Sequence, residues 1–345
     1  MRSTAERIDD VLRLVAGARK IVRDRAKWRD QIAGATGLSA AGVELGLTKH
    51  LEVDPSDADL RALVEVAGDA SVVRVVLSAN VFTAPLRAIA LARAAAPCVV
   101  VRPSHRDPVF ARALLEATRD PAITLAEDLD VEAIADGELH VYGRDETIAT
   151  IRTRTRPSVV VRGHGAGMGV ALVSPGADVT ATAALLAMDV VAFDQRGCLS
   201  PRVAIVEGDA ARAALFAEAL HEALLAAAMR VPRGALSDEE RTDAARYADT
   251  VAFAGTLWRA SDHLVGLASS AAPIVPPSGR HVHVTAAADA RVVSRLLAPL
   301  ARWLVAVGSD DLPYAARLAP PHARVSIVGA MQRPPLDGPV DRRRP

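Results

Sequence analysis

Phe193-Asp194-Gln195-Arg196-Gly197-Cys198-Leu199-Ser200-Pro201 is a short polar break between two apolar patterns. An alanine-rich helical pattern, Val179 to Val191, precedes it, and an apolar run, Val203 to Val206, follows. A lone thiol on a glycine-flanked turn at a helix-to-strand junction is placed to be reached by a substrate, which makes Cys198 the candidate nucleophile. A buried turn cysteine is the competing reading of the same residues. The other cysteine lies in Pro97-Cys98-Val99-Val100-Val101, where a small apolar side chain in a buried strand suffices, and it is expected in the core.

Composition sets the frame around this turn. A chain of 345 residues is long enough for about two domains with sizeable cores. Half of the residues are hydrophobic but only 3% are aromatic, so the cores are built from Ala, Val, Leu and Ile, the palette of helices on parallel strands. Lys plus Arg equals Asp plus Glu at 41 each, which leaves no global field for nucleic acid or an anionic membrane. Two cysteines make no disulfide framework, and free thiols suit a reducing compartment. The N-terminus places Arg2, Glu6, Asp9 and Asp10 in a helical pattern without the apolar core of a signal peptide, and no run reaches the roughly 20 apolar residues of a membrane span. A soluble, cytoplasmic protein is expected.

In chain order, amphipathic spacing predicts a helix from Thr4 to about Ile32, another from Ser39 to about Leu51 and a third after Asp54-Pro55-Ser56, together leaning on one edge of a sheet. Strand Val72 to Leu77, helix Pro85 to Ala95 and strand Cys98 to Val101 form a parallel crossover unit. A helix from Asp107-Pro108 to about Thr118, strand Ile123 to Leu125, a helical segment Val131 to Asp136, strand Glu138 to Tyr142 and helix Asp145 to Thr153 continue the pattern. A fifth run, Ser158 to Val161, ends at Arg162-Gly163-His164-Gly165-Ala166-Gly167-Met168-Gly169 before strand Val170 to Val173. Glycine at alternate positions permits close backbone approach or passage between domains, so a boundary falls after residue 162. The second unit, 163–330, runs through strand Val203 to Val206, a long helix from Asp209 to about Met229, a helix capped at Ser237, a loop over Ala271 to Gly279, strand His281 to Thr285, helix Ala287 to Ala298 and strands Leu304 to Val307 and Val325 to Val328. Residues 331–345 are expected to form an extended or disordered tail.

Three other features invite a site. The glycine run matches no phosphate-loop template, since no Lys-Ser or Lys-Thr follows and a strand comes next. Tyr142-Gly143-Arg144-Asp145-Glu146-Thr147 joins a strand to a helix N-terminus, where free amides favour a pyrophosphate; an ordinary turn capped by Asp145 is the alternative. Arg102 and Ser104 leave the carboxyl end of a parallel strand, where open α/β sheets bind ligands, or are a solvated Arg and a helix-capping Ser. His281 and His283 share one strand face, but no third ligand is spaced near them, so a solvated face is expected and no metal.

In order and spacing these features resemble the aldehyde dehydrogenase superfamily, and within it the acyl-CoA reductase branch related to the fatty acid reductase subunit of bacterial bioluminescence systems. The likeness runs from about Thr36 to Asp337. Asp194-Gln195-Arg196-Gly197-Cys198-Leu199-Ser200-Pro201 resembles the branch's cysteine loop, and Leu77-Ser78-Ala79-Asn80-Val81 resembles the loop carrying the oxyanion asparagine. Arg102-Pro103-Ser104 resembles the Lys-Pro-Ser cofactor motif, and Tyr142 to Thr147 resembles a Tyr-Gly-Ser-Asp-Glu-Thr turn. Gly329-Ala330-Met331-Gln332 with Pro334-Pro335 and Asp337-Gly338 resembles the C-terminal signature. Arg102 stands for a lysine, Arg144 for a serine and His164 for the glutamate of hydrolytic members, and the chain is shorter than typical members at its N-terminus.

The resemblance implies two Rossmann-like three-layer α/β domains with parallel sheets, and reduction of an acyl-CoA, fatty by the likeness, to an aldehyde and coenzyme A. Cys198 would form the acyl-enzyme, with Asn80 and the Cys198 N–H as oxyanion donors and Arg196 or His164 favouring the thiolate. Arg102, Ser104, His105, Gly143, Arg144, Asp145 and Thr147 would hold the nicotinamide cofactor. Arg102 and His105, with no acid directly after Ser104, favour NADPH, and NADH stays open. A homo-oligomer, a relative acting on acyl phosphate or free aldehyde, and a non-catalytic relative stay open as well.

Overall fold

The computed structural model describes residues 2–268 and 273–343. Residues 271 and 272 of the loop expected over Ala271 to Gly279 therefore lie outside the described residues.

Helices α1 (Thr4–Arg23), α2 (Arg25–Thr36), α3 (Ala40–Leu45) and α4 (Asp57–Ala67) open the chain. The single helix expected to Ile32 is thus two, broken at Asp24. They do not lean on a sheet edge: α1 lies across α5 (Ala84–Ala95) and α6 (Val109–Thr118), so its buried Val11, Leu14, Val15 and Ile21 add an outer layer. Beneath it is a parallel five-stranded sheet of β1 (Val72–Val76), β2 (Cys98–Arg102), β3 (Ile123–Leu125), β4 (Glu138–Tyr142) and β5 (Val160–His164), in the order β3-β2-β1-β4-β5. Val73, Val75, Val99 and Val101 face the helical layers. Val76, Leu139 and Val141 face away, against Ile148 of α7 (Asp145–Arg154) and the stretch around Val131 and Ile134. That stretch is irregular rather than the expected helix: two apolar anchors suffice to cover the sheet there, with Val131 and Asp136 in bends.

The chain crosses at Gly165–Gly167 into a second sheet of β6 (Met168–Val173), β7 (Pro201–Glu207), β8 (Thr256–Arg259), β9 (Leu264–Leu267), β10 (His281–Ala287), β11 (Leu304–Ser309) and β12 (Arg324–Ile327), in the order β12-β11-β6-β7-β10-β9-β8. All its pairings are parallel except the β8–β9 hairpin. Ala171, Val173, Ala204 and Val206 pack under α8 (Val179–Val191) and α9 (Ala210–Arg230). Val170, Leu172, Val203 and Ile205 pack against α11 (Ala290–Leu297) and α12 (Leu312–Leu318) on the other face, while α10 (Asp238–Ala254) covers the hairpin. Burial on both faces explains why these strands read as unbroken apolar runs.

The glycines of the crossing are needed by the protein's own packing. A Cβ at Gly165 would collide with the Asp145 carboxylate, and one at Gly169 with the Leu199 carbonyl. Among its described residues, from Met331 to 343, the C-terminal segment has no helix or strand, yet Met331 and Leu336 are buried. Its prolines deny it regular bonds, and buried arginines serve its carbonyls instead: Arg87 donates to those of Pro334 (3.0 Å) and Pro335 (2.7 Å), Arg324 to those of Pro339 (2.7 Å) and Val340 (3.1 Å).

The turn after α8 is the most constrained backbone in the chain. Phe193, Asp194 and Gln195 lie in the left-handed region, at φ 53°, 50° and 63°, as does Arg280 at 68°. Each costs about 1–2 kcal/mol in a residue with a Cβ, so tertiary bonds must fix them. Asp194 accepts from buried Arg280 at 2.7 and 2.9 Å and from the Gly234 amide at 2.9 Å. Gln195 donates to the carbonyls of Pro201 and His281, both at 2.7 Å, and accepts from the His281 amide at 2.8 Å. Phe193 packs between His50 and Phe82. Arg280→Ala leaves the Asp194 charge buried and alone, so a loss of about 3–5 kcal/mol is expected in urea unfolding; a loss below 1 kcal/mol would mean that the turn is held otherwise.

Candidate active site

The strand order of the first sheet reverses between β1 and β4, and ligand crevices in open α/β sheets form at such a point, beyond the carboxyl ends. The loop after β1 and the turn after β4 meet the crossing segment, the cysteine loop and the C-terminal segment around one cavity of about 240 Å3. Cys198, Asn80, His164, Gly143 and Arg144 all line it. Arg102, Ser104 and His105 do not: Arg102 ends β2, half-buried, and its carbonyl accepts from the Leu77 amide at the start of the Asn80 loop. They flank the crevice on its β2 side. Ser104 accepts from the Arg106 amide two residues on, a turn rather than a helix cap. Asp145 and Thr147 lie on the first turn of α7 outside the lining, and Asp145 accepts from the Ala166 amide at 3.0 Å, tying that turn to the crossing.

Cys198 is half-buried beside Leu199, Met331 and Val340. Burial first and the Asp341 carboxylate second push its thiol up to about 11, against the pull of Arg343, its own backbone and Arg324. Arg196 is not among these groups; it donates to the carbonyls of Thr36 and Ala235 and pairs with Glu240. His164 stacks on Tyr142, centroids 4.4 Å apart, with its Nε2 buried and unpartnered; burial, then His140, lowers it to about 4, so the ring is neutral near pH 7. Gln332 also faces the cavity, held because the buried Asp189 of α8 accepts from the amides of Gly329 and Met331; its Nε2 has no partner. Asp341 is held by Arg343, which also donates to the carbonyls of Ala166 and Arg302 at 2.8 Å.

Two expectations about side chains change. Cys98 is exposed: it starts β2 at the sheet's amino edge, and only Val99 and Val101 turn into the core. His281 and His283 are buried, because β10 is interior between β7 and β9; His283 faces the Tyr247 hydroxyl at 3.3 Å, and His281 lies behind the cysteine turn. Among the described residues no cluster of metal-ligating side chains occurs.

The helix starts distinguish the two sheets. In the second, α8, α9, α11 and α12 are each capped by an aspartate, Asp178, Asp209, Asp289 and Asp311. In the first, α5, α6 and α7 follow strands and none has a side-chain cap. The helices of the first sheet thus leave first-turn amides without side-chain caps at its carboxyl edge, whereas aspartates close those of the second.

The sequence matches the model of the family described as acyl-CoA reductase (LuxC) over residues 54–339. The chain belongs to the acyl-CoA reductase (LuxC) family. It is an acyl-CoA reductase by family, an oxidoreductase acting on acyl groups. Among solved structures, an NAD-dependent benzaldehyde dehydrogenase from Corynebacterium glutamicum superposes with TM-score 0.69 at 16% identity, over 94% of this chain and 81% of that one. An aldehyde dehydrogenase from Mycobacterium tuberculosis complexed with NAD+ gives 0.71 at 13%, over 94% and 77%. An NADP-dependent glyceraldehyde-3-phosphate dehydrogenase from Bacillus halodurans C-125 complexed with NADP gives 0.67 at 13%, over 94% and 79%. These likenesses bear out the two-sheet fold. No curated protein sequence matches the chain. No helix among the described residues is long and apolar enough to cross a membrane.

Sequence reasoning missed Gln195, Arg280, Asp341 and Arg343 as site residues of this reductase. Gln195 lay inside the quoted loop, where a buried polar residue is a signal; the others act from distant segments.

A thiol near 11 stays protonated at neutral pH. Alkylation of Cys198 by iodoacetamide, followed by peptide mass mapping, should accelerate with pH well past the ordinary thiol value of about 8.5, and Asp341→Asn should shift the profile to lower pH. An acidic profile in the parent, or no shift in the variant, contradicts the assigned electrostatics.

Proposed function

We propose that the protein reduces an acyl-CoA with NADPH to an aldehyde, releasing coenzyme A and NADP, through an acyl-enzyme on Cys198. The observation that carries this reading is a half-buried thiol in one cavity with the loops at the carboxyl edge of the uncapped sheet.

The Cys198 thiol gives its proton to water, the thiolate attacks the thioester carbonyl, and coenzyme A leaves, taking a proton from water; His164 stays neutral beside the site. The oxyanion formed on the way is met by Asn80, the Cys198 N–H and the free Gln332 Nε2. With histidine in place of a carboxylate at position 164, exchange with a thiol is favoured over hydrolysis of the acyl-enzyme. A bound nicotinamide supplies the hydride that takes the acyl group to the aldehyde. The first-turn amides of α7 with Gly143 and Arg144 would hold its pyrophosphate, Asp145 and Thr147 would set that turn, and Arg102, Ser104 and His105 would serve its adenosine ribose. Free thiols and a site that must stay reduced suit the cytoplasm.

Incubation with acyl-CoA in the absence of NADPH should leave an acyl adduct on Cys198, detected by mass spectrometry. Cys198→Ala should lose it and Cys98→Ala keep it, and the opposite pattern overturns the assignment. Arg102→Ala should weaken NADPH binding about ten- to a hundredfold and NADH binding far less, because a 2′-phosphate is held by charge-assisted bonds and a hydroxyl is not. Calorimetric titration decides it: equal losses would remove Arg102 from phosphate recognition.

A further inference from the structure

Gln332 reaches the cavity from the turn that follows β12, and it is only 5% exposed. Its side-chain amide lies against the cysteine loop: Ser200 Oγ donates to Oε1 at 3.4 Å, and a Cβ at Gly197 would stand 3.6 Å from the same oxygen. With the oxygen turned toward residues 197 and 200, Nε2 is buried without a partner in the wall of the cavity that Cys198 also lines.

The aim of that amide is set from α8. The carboxylate of Asp189, fully buried on this helix, accepts from the Gly329 amide and from the Met331 amide at 3.0 Å. Burial pushes Asp189 up to about 7, the amides of Gly329, Met331 and Gln332 pull the other way, and no cation is among the groups acting on it. Backbone amides are thus its whole answer. Leu185, one helical turn earlier on α8, packs on Gly329, and the Met331 sulfur takes the room that a Cβ at Gly308 would need. The same helix therefore carries two parts of the site. Its end runs into the Phe193–Gln195 turn and Cys198, and its Asp189 grips the segment that bears Gln332. A donor fixed in this way needs no reorganisation when charge develops on an oxygen beside the sulfur.

We infer that Asp189 is a positioning residue for the reaction: through the turn from Gly329 to Gln332 it holds the Gln332 amide beside the cysteine loop, so that Nε2 stands ready as an oxyanion donor. The inference rests on the acyl-enzyme proposed above and assigns that step a residue outside the cavity.

The test is a double-substitution cycle on acylation, read without NADPH by acid quench and mass spectrometry of the Cys198 adduct, with decanoyl-CoA and tetradecanoyl-CoA as donors. Gln332→Met keeps the bulk and removes the donor. Its maximal acylation rate should fall about a hundred- to a thousandfold, with the half-saturating donor concentration little changed, because the bond acts in the transition state. Asp189→Asn sets an N–H against the amides of the turn and should slow acylation about ten- to a hundredfold by misplacing Gln332. It should add nothing to the loss already present in Gln332→Met. Losses that multiply, as for independent sites, make Asp189 merely structural and overturn the inference. So does either single variant acylating at the parent rate. Gly329→Ala, at φ 88° and with its Cβ against Leu185, disturbs the same turn from its other side and decides the cycle in the same way should Asp189→Asn not fold. If neither folds, the turn is structural and the inference fails. A parent that forms no Cys198 adduct with either donor refutes the acyl-enzyme and the inference with it, an outcome distinct from an adduct whose rate is indifferent to Gln332 and Asp189.

Discussion

The buried ion pair between Asp194 and Arg280 is the constraint on which the site depends. Both partners sit in left-handed backbone, and Phe193 and Gln195 extend that strain along the chain. Left alone, these residues would relax to ordinary conformations and carry Cys198 away from the cavity. They are held because the Asp194 carboxylate, the Gln195 amide and the Phe193 ring each meet a partner from a different part of the fold, so that no one of them moves without breaking buried bonds. A thiol placed this way is held before any ligand arrives, as the proposed attack from one geometry requires.

The electrostatics divide the labour between the two sheets. Aspartate caps close the helix starts of the second sheet, while the first leaves its helix starts bare where the crevice opens. The thiol is kept protonated by burial and by Asp341, with Arg343 close by as the opposing charge. The same C-terminal segment thus both walls the cavity and sets the resting state of its nucleophile, and its anchoring by Arg87 and Arg324 couples the two domains' side chains at one place.

Much of this was legible in the sequence. Strands buried on both faces leave continuous apolar runs, helices leave three- and four-residue spacing, and a polar turn between them stands out; hence the α/β units, the crossing at the glycine run and the Cys198 turn could be read directly. Gly143 followed from its place at a strand end, since in a parallel sheet every such end opens on the same edge, whereas Asn80 and His164 were read from the family resemblance.

Local pattern carries no information about which strand is interior, which edge a residue lies on, or what a distant segment brings. Cys98 has a core-like sequence and an exposed place because it begins its strand; His281 and His283 alternate like a solvated face and are buried because β10 is flanked on both sides. The proline-rich C-terminal segment lacks any regular signal and is nonetheless fixed, since its carbonyls are satisfied by Arg87 on α5, far back in the chain, and by Arg324 on β12. By itself the sequence determined the elements, their order and the candidate cysteine turn, for these are set by residues near one another. Only the tertiary structure decided the charge around Cys198, because Asp341, Arg343 and Arg324 meet it through folding, and the energy of a buried charge depends on which partner reaches it.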